Sequence, residues 1–177
     1  MPVRLATIGD AAAIAAAHVS AWRAAYAGLM PASVLDALNV EQRTAAWQRS
    51  LSVSSAAITT VATDASDAVV GFAFYGPTRD TDHTGQRVGE LLAINLLPEV
   101  WRCGYGRQLC DRVLAHASDE GWQVLTLWVL RENIRARAFY ESMGFTADGA
   151  EKTDTGLIGA PLNELRYRKQ VAGSAGR

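Results

Sequence analysis

The sequence predicts an α/β protein of the mixed α+β kind, a central sheet flanked by helices, and three observations carry that expectation. Segments of helical period alternate with short runs of strand character along the 177 residues. The apolar run Val124–Leu130 is nearly continuous, as in a strand covered on both faces. A second strand-like run over residues 88–97 stops at Pro98 and turns through Gly104-Tyr105-Gly106 into an amphipathic helix. Apolar residues make up 49% of the chain, enough for a full-sized core, and no shift in composition marks a second domain. Residues 1–171 read as a single domain and 172–177 as a disordered tail.

The elements follow in order. Asp10 is placed to cap a helix that ends near Gly28, with Ile14, His18, Trp22 and Tyr26 recurring every fourth residue on a seam flanked by alanines. Residues 31–38 form a short second helix. Asn39 caps a third, with Gln42 as its capping-box partner and Val40, Trp47 and Leu51 along one side. Strands over 57–63 and 68–75 are joined across 64–67 as a hairpin, and the polar stretch 79–87 is a loop. After the Gly-x-Gly turn, Tyr105, Leu109, Val113, Leu114 and Ala117 keep helical spacing until Gly121. Beyond Val124–Leu130, Asn133 caps a short helix that Gly144 stops, and a strand follows. The last segment, Leu162–Gln170, sets Leu165, Tyr167 and Lys169 against Arg166 and Arg168, the alternation of a terminal strand.

Charge and cysteine content narrow the function. Seventeen basic against eighteen acidic residues give a net charge of −1, which argues against a nucleic-acid binder with a broad basic surface. Cys103 and Cys110 are the only cysteines, too few for a disulfide framework and without zinc-like spacing, so no structural metal is expected. With no signal peptide and no run of membrane-spanning length, the reading is a cytoplasmic protein that binds no membrane.

The loop from Leu96 to Arg107 has the chemistry of an anion cradle. Main-chain N–H groups at a helix start lack helical partners, the positive end of the macrodipole points the same way, and glycine leaves room for a phosphate. Arg102 and Arg107 add full charge beside it. Downstream runs Asn133-Ile134-Arg135-Ala136-Arg137-Ala138-Phe139-Tyr140-Glu141-Ser142-Met143-Gly144-Phe145. Together the two segments resemble the coenzyme-A-binding motifs of the GNAT superfamily of N-acetyltransferases. The first is similar to its strand, Pro, then Q/R-x-x-G-x-G/A loop. The second is similar to its N-x-x-A-x-x-F-Y-E-x-x-G-F helix. One departure stands out. The family's Gln or Arg falls on Trp101, which removes a polar contact, and Arg102 takes a position often held by glycine.

The resemblance implies a GNAT fold with a mostly antiparallel sheet, acetyl-CoA as cofactor, and transfer of an acetyl group to a primary amine, preferably on a small molecule. Such a transfer needs a group to take the amine's proton, donors for the charge that develops on the carbonyl oxygen, and a proton for the departing thiolate. Tyr140 matches the family's proton donor, and with an ordinary pKa of about 10 it stays protonated near neutral pH. Glu90, opening the strand into the loop, is the candidate base, with Glu132 as runner-up. Residues implied to hold the coenzyme are Leu96 (whose backbone N–H would meet the carbonyl oxygen), Arg102, Cys103, Gly104, Tyr105, Gly106, Arg107 and Asn133. Arg135 and Arg137 are further candidates for its phosphates. Trp22 and Tyr26 belong to the region that roofs the acceptor pocket, which the 79–87 loop would help enclose. Asp80 and Asp82 there could attract a cationic amine, against the plainer reading of a solvated loop, and His18 reads as a satisfied core histidine. Two other readings stay open: a non-catalytic acyl-CoA sensor, which Trp101 favours and Tyr140 opposes, and an acetyltransferase of protein N-termini or lysines. Dimerisation is common in the family, so a homodimer stays open as well.

Overall fold

A computed structural model describes residues 2–155 and 161–171; the tail expected at 172–177 lies outside them. The described chain forms strands β1 (Val3–Leu5), β2 (Ile58–Thr63), β3 (Val69–Pro77), β4 (Val88–Leu96), β5 (Val124–Leu130), β6 (Thr146–Asp154) and β7 (Leu162–Gln170). Its helices are α1 (Ala11–Ala25), α2 (Ala32–Asp36), α3 (Val40–Ser52), α4 (Tyr105–Asp119) and α5 (Ile134–Ser142). The strands follow the hydrogen-bonding order β1-β2-β3-β4-β5-β7-β6. Pairing is antiparallel from β1 to β3 and among β5, β7 and β6, and parallel between β4 and β5. This is the mixed, mostly antiparallel sheet with helices that the sequence predicts.

Two compact units divide the chain. The first comprises residues up to 76 together with 93–113, the second 77–92 together with 114 onward. In the first, α1 presents Ala11, Ile14, Ala15 and Ala17 to Trp47 of α3, Val61 of β2 and Phe72 of β3. The alanines let helix and sheet approach closely, and burying the larger groups stabilises each by roughly 2 kcal/mol. The β2–β3 hairpin closes at Asp64, whose Oδ1 accepts from the amides of Ser66 and Ala68 at 2.8 and 3.0 Å. Asn39 caps α3 by accepting from the Gln42 amide at 2.8 Å.

One expectation is corrected here. Asp10 occupies the position before α1 but makes no cap bond. Its carboxylate turns back to the Thr7 amide at 2.7 Å and to both terminal nitrogens of Arg4 at 2.8 and 2.9 Å. Arg4 lies on β1, a three-residue strand too short for a hydrophobic pattern to announce.

In the second unit β5 is buried along nearly its whole length and pairs throughout with β7, from Val124 with Gln170 to Leu130 with Glu164. Tyr167, Phe145, Leu125 and Leu127 are almost wholly inaccessible. Gly89 of β4 lies flat under Trp122, where a Cβ would stand 1.8 Å from the ring. The alternation expected of β7 does not hold in its burial, since Leu165, Arg168 and Lys169 are all half-buried. Arg166 is buried beside Tyr167, because three carboxylates meet it there.

Candidate active site

Within the first unit, β4 ends at Leu96 and the chain enters a 3-10 turn over Pro98–Val100. The Cys103 amide donates to Val100 O at 3.3 Å, Arg102 takes φ 63°, and Gly104 takes φ 92°. Left-handed backbone is cheap for Gly104 and costs Arg102 roughly 1 kcal/mol, which explains why glycine is common at the latter position. Helix α4 opens directly afterwards. Its first helical bond runs from Gln108 N to Gly104 O at 3.2 Å, so the N–H groups of Tyr105, Gly106 and Arg107 lie ahead of it. These amides, the bare Gly104 and the exposed guanidiniums of Arg102 and Arg107 fit a diphosphate. The Cys103 amide is engaged within the turn and its exposed thiol donates to Trp101 O at 3.6 Å; it forms no disulfide.

Trp101 does not leave the missing contact open. Its indole Nε1–H donates to Leu96 O at 3.0 Å, tying the loop to the end of β4 with the side chain that replaces Gln or Arg. On α1, Trp22 and Tyr26 meet edge to face with ring centroids 5.1 Å apart, and Arg43 lies 6.0 Å from the Trp22 ring. His18 is not the satisfied core histidine expected. Its Nδ1 is buried without a hydrogen-bond partner, and desolvation, aided by the charge of Arg43, holds its pKa down at about 4.

Within the second unit, Asn133 and Tyr140 stand two turns apart on one face of the α5 segment. Asn133 Oδ1 accepts from the Ala136 amide at 3.1 Å, so it caps the helix as expected, and Gly144 at φ 82° ends it. Tyr140 is 9% exposed, more buried than Phe139 beside it, and its ring packs edge to face on Phe145 with centroids 6.0 Å apart. Arg137 donates through Nε to the Tyr167 hydroxyl at 3.1 Å and through Nη1 to Arg131 O at 3.0 Å.

Glu90 is neither exposed nor solvated. Its side chain is 1% accessible and holds Arg79 by two nitrogens, with Oε1 accepting from Nη2 at 2.6 Å and Oε2 from Nε at 3.1 Å. The Arg79 amide also donates to Oε2, at 3.0 Å. The sequence did not reveal Arg79, eleven residues upstream across a polar loop. A carboxylate set among the apolar residues of 88–97 was the available signal that a cation faces it.

The acidic loop is likewise ordered from within its unit. Arg166 donates to both oxygens of Asp82 at 2.8 and 2.7 Å, to Asp148 at 2.8 Å and to Asp80 at 3.3 Å. Trp128 Nε1 also donates to Asp80, at 3.1 and 3.2 Å. Asp82 is held at about pKa 2 by its bond to Arg166. Donor atoms of Asp80, Asp82 and His83 lie within 4.8 Å of one another, yet the guanidinium of Arg166 already sits among them. Asp82 stays more than half exposed, so the loop is solvated as read while its carboxylates are paired with Arg166; no helix among the described residues is long and apolar enough to cross a membrane.

Comparison with known proteins agrees with this architecture. Residues 22–145 match the model of the acetyltransferase (GNAT) family. The uncharacterized N-acetyltransferase YuaI of Bacillus subtilis is 35% identical over 92% of this chain and 89% of its own length. The PaiA N-acetyltransferase of Thermoplasma acidophilum, solved in complex with coenzyme A, has the same fold at TM-score 0.73 and 20% identity, covering 96% of this chain and 98% of its own. YncA of Salmonella typhimurium, solved with acetyl-CoA, follows at TM-score 0.68 and 22% identity, over 100% and 97% of the two chains. The chain belongs to the GNAT family, as an acetyl-CoA-dependent N-acetyltransferase.

Proposed function

We propose that this enzyme acetylates the primary amine of a small molecule by direct transfer, in the cytoplasm. The observation that carries the reading is the loop after β4, where Gly104 at φ 92° leads straight into the amides that open α4. Leu96, Arg102, Cys103, Gly104, Tyr105, Gly106, Arg107 and Asn133 would hold the coenzyme, which supplies the activated acetyl thioester. The Tyr105, Gly106 and Arg107 amides face the diphosphate, with the Arg102 and Arg107 guanidiniums neutralising it. The Leu96 N–H stabilises the charge that develops on the acetyl oxygen. Tyr140 would deliver its phenolic proton to the leaving sulfur. Glu90, with its side chain 1% accessible, would take the proton of the amine through a water, on Oε1, which receives one donor where Oε2 receives two. Trp22 and Tyr26 offer the acceptor flat apolar contact with a polar edge.

Release of coenzyme thiol over a panel of small primary amines tests this reading. Turnover on at least one amine is expected, and Tyr140→Phe should lower kcat about a hundredfold while coenzyme affinity stays constant. Tight binding with no release on any amine, or an unchanged kcat in the phenylalanine variant, would contradict it.

A further inference from the structure

We propose that Trp101 is a positioning residue for the coenzyme loop, its indole N–H tying the loop back to the end of β4. The inference rests on the coenzyme reading given above and adds to it the part played by this chain's own departure from the family motif. The loop leaves β4 at a point that cannot shift. Gly71 of β3 lies against it so closely that a Cβ there would stand 2.7 Å from Asn95 O and 3.1 Å from Leu96 Cα. The next peptide is pinned by a bond from Leu97 N to Val70 O at 2.9 Å. From this anchor the chain turns through Pro98–Val100, and five residues on the Trp101 indole donates back to Leu96 O at 3.0 Å.

That bond closes a ring. The main chain runs out from Leu96, the Trp101 amide donates to Pro98 O at 3.2 Å, and the indole returns to the starting carbonyl. Everything that follows hangs from it: Arg102 at φ 63°, the Cys103 amide on Val100 O, and Gly104 at φ 92°. Arg102 takes a conformation that side-chain-bearing residues avoid, so the loop needs an external tie to hold it. Tryptophan suits the task. Its donor sits on a rigid two-ring body with two rotatable bonds, so less side-chain freedom is lost in placing it than with the longer Gln or Arg. Trp101 is half-buried, so the bond is sheltered from competing water. The same carbonyl belongs to the residue whose N–H we assign to the acetyl oxygen. The indole bond therefore ties the loop to a peptide already fixed by the Leu97 N–H on Val70 O, at the exit of the chain toward the diphosphate amides.

The test is coenzyme A binding by isothermal titration with wild type, Trp101→Phe and Trp101→Gln, together with steady-state kinetics once a turned-over amine is in hand. Phenylalanine keeps the ring and removes the donor, and Kd should rise about tenfold, KM for acetyl-CoA rising in parallel while kcat stays within twofold. Glutamine restores N–H donors and should bring Kd back to within threefold of wild type. Melting temperatures separate this from a purely structural role, which would lower Tm and leave the Kd of the folded fraction unchanged. Wild-type affinity in Trp101→Phe, or equal weakness in Trp101→Gln, would overturn the proposal while leaving the coenzyme reading intact. No binding of coenzyme by wild type would instead overturn that reading, and this one with it.

Discussion

Replacing His18 with leucine should remove an acid-side weakness from the stability of this protein. The imidazole sits on α1 with ring centroids 5.3 Å from Trp22, 5.8 Å from Phe72 and 6.2 Å from Trp47. Burial, with Arg43 contributing second, lowers its pKa from 6.5 to about 4. The folded state therefore favours the neutral ring, while the unfolded chain takes up a proton near pH 6.5. Stability is undiminished above that pH and is lost as pH falls toward 4, where the folded protein is protonated as well. At about 1.4 kcal/mol per pH unit the loss across the window comes to about 3 kcal/mol. Urea unfolding followed by tryptophan fluorescence, at about pH 7.5, 6 and 5, measures it in both proteins. Wild type should weaken steadily over this range and His18→Leu should follow a flatter line. Asp10 acts in a separate window. Arg4 holds its carboxyl at about 2, so its contribution is complete above the ordinary carboxylate range and fades only as pH falls from about 4 toward 2. Parallel acid-side slopes in the two proteins, or an ordinary titration of the His18 ring by NMR, would refute the reasoning.

Three further substitutions probe other parts of the molecule. Gly104→Val places a β-branched side chain at φ 92°, and coenzyme A affinity measured by calorimetry should fall at least tenfold; equal affinity would remove the phosphate assignment. Arg102→Gly relieves the left-handed residue, so stability in urea should rise by about 1 kcal/mol while coenzyme affinity drops severalfold through the lost charge. An affinity unchanged by that substitution would show that the guanidinium does not meet the diphosphate. Gly89→Ala drives a Cβ into the Trp122 ring, and overpacking of this kind should cost about 2 kcal/mol; an unaltered Tm would mean that Trp122 moves aside freely.

The parts of the fold that were legible in the sequence are those with local causes. The caps at Asn39 and Asn133, the stop at Gly144, the turn at 64–67 and the bounds of β5 and β7 each follow from a few adjacent residues, and the structure places them as read. Pairings between charges distant in sequence leave no such trace. Arg79 and Glu90 are eleven residues apart, Arg166 and Asp82 eighty-four, and nothing in the pattern around any of them names the partner. Asp10 was misread because a carboxylate before a helix has two local outlets, the helix amides and a neighbouring cation, and Arg4 on an unannounced strand took it. For the candidate site, the loop and helix motifs were visible as spacing. That the Trp101 indole ties the loop back to the end of β4 was not, since a tryptophan after a proline turn reads equally well as packing.

The most direct test is a structure of the protein with acetyl-CoA bound. We expect the diphosphate oxygens within about 3 Å of the amides of residues 105–107, and the thioester carbonyl on the Leu96 N–H with the sulfur beside the Tyr140 hydroxyl. A diphosphate lodged away from that loop, or a sulfur out of reach of Tyr140, would contradict it.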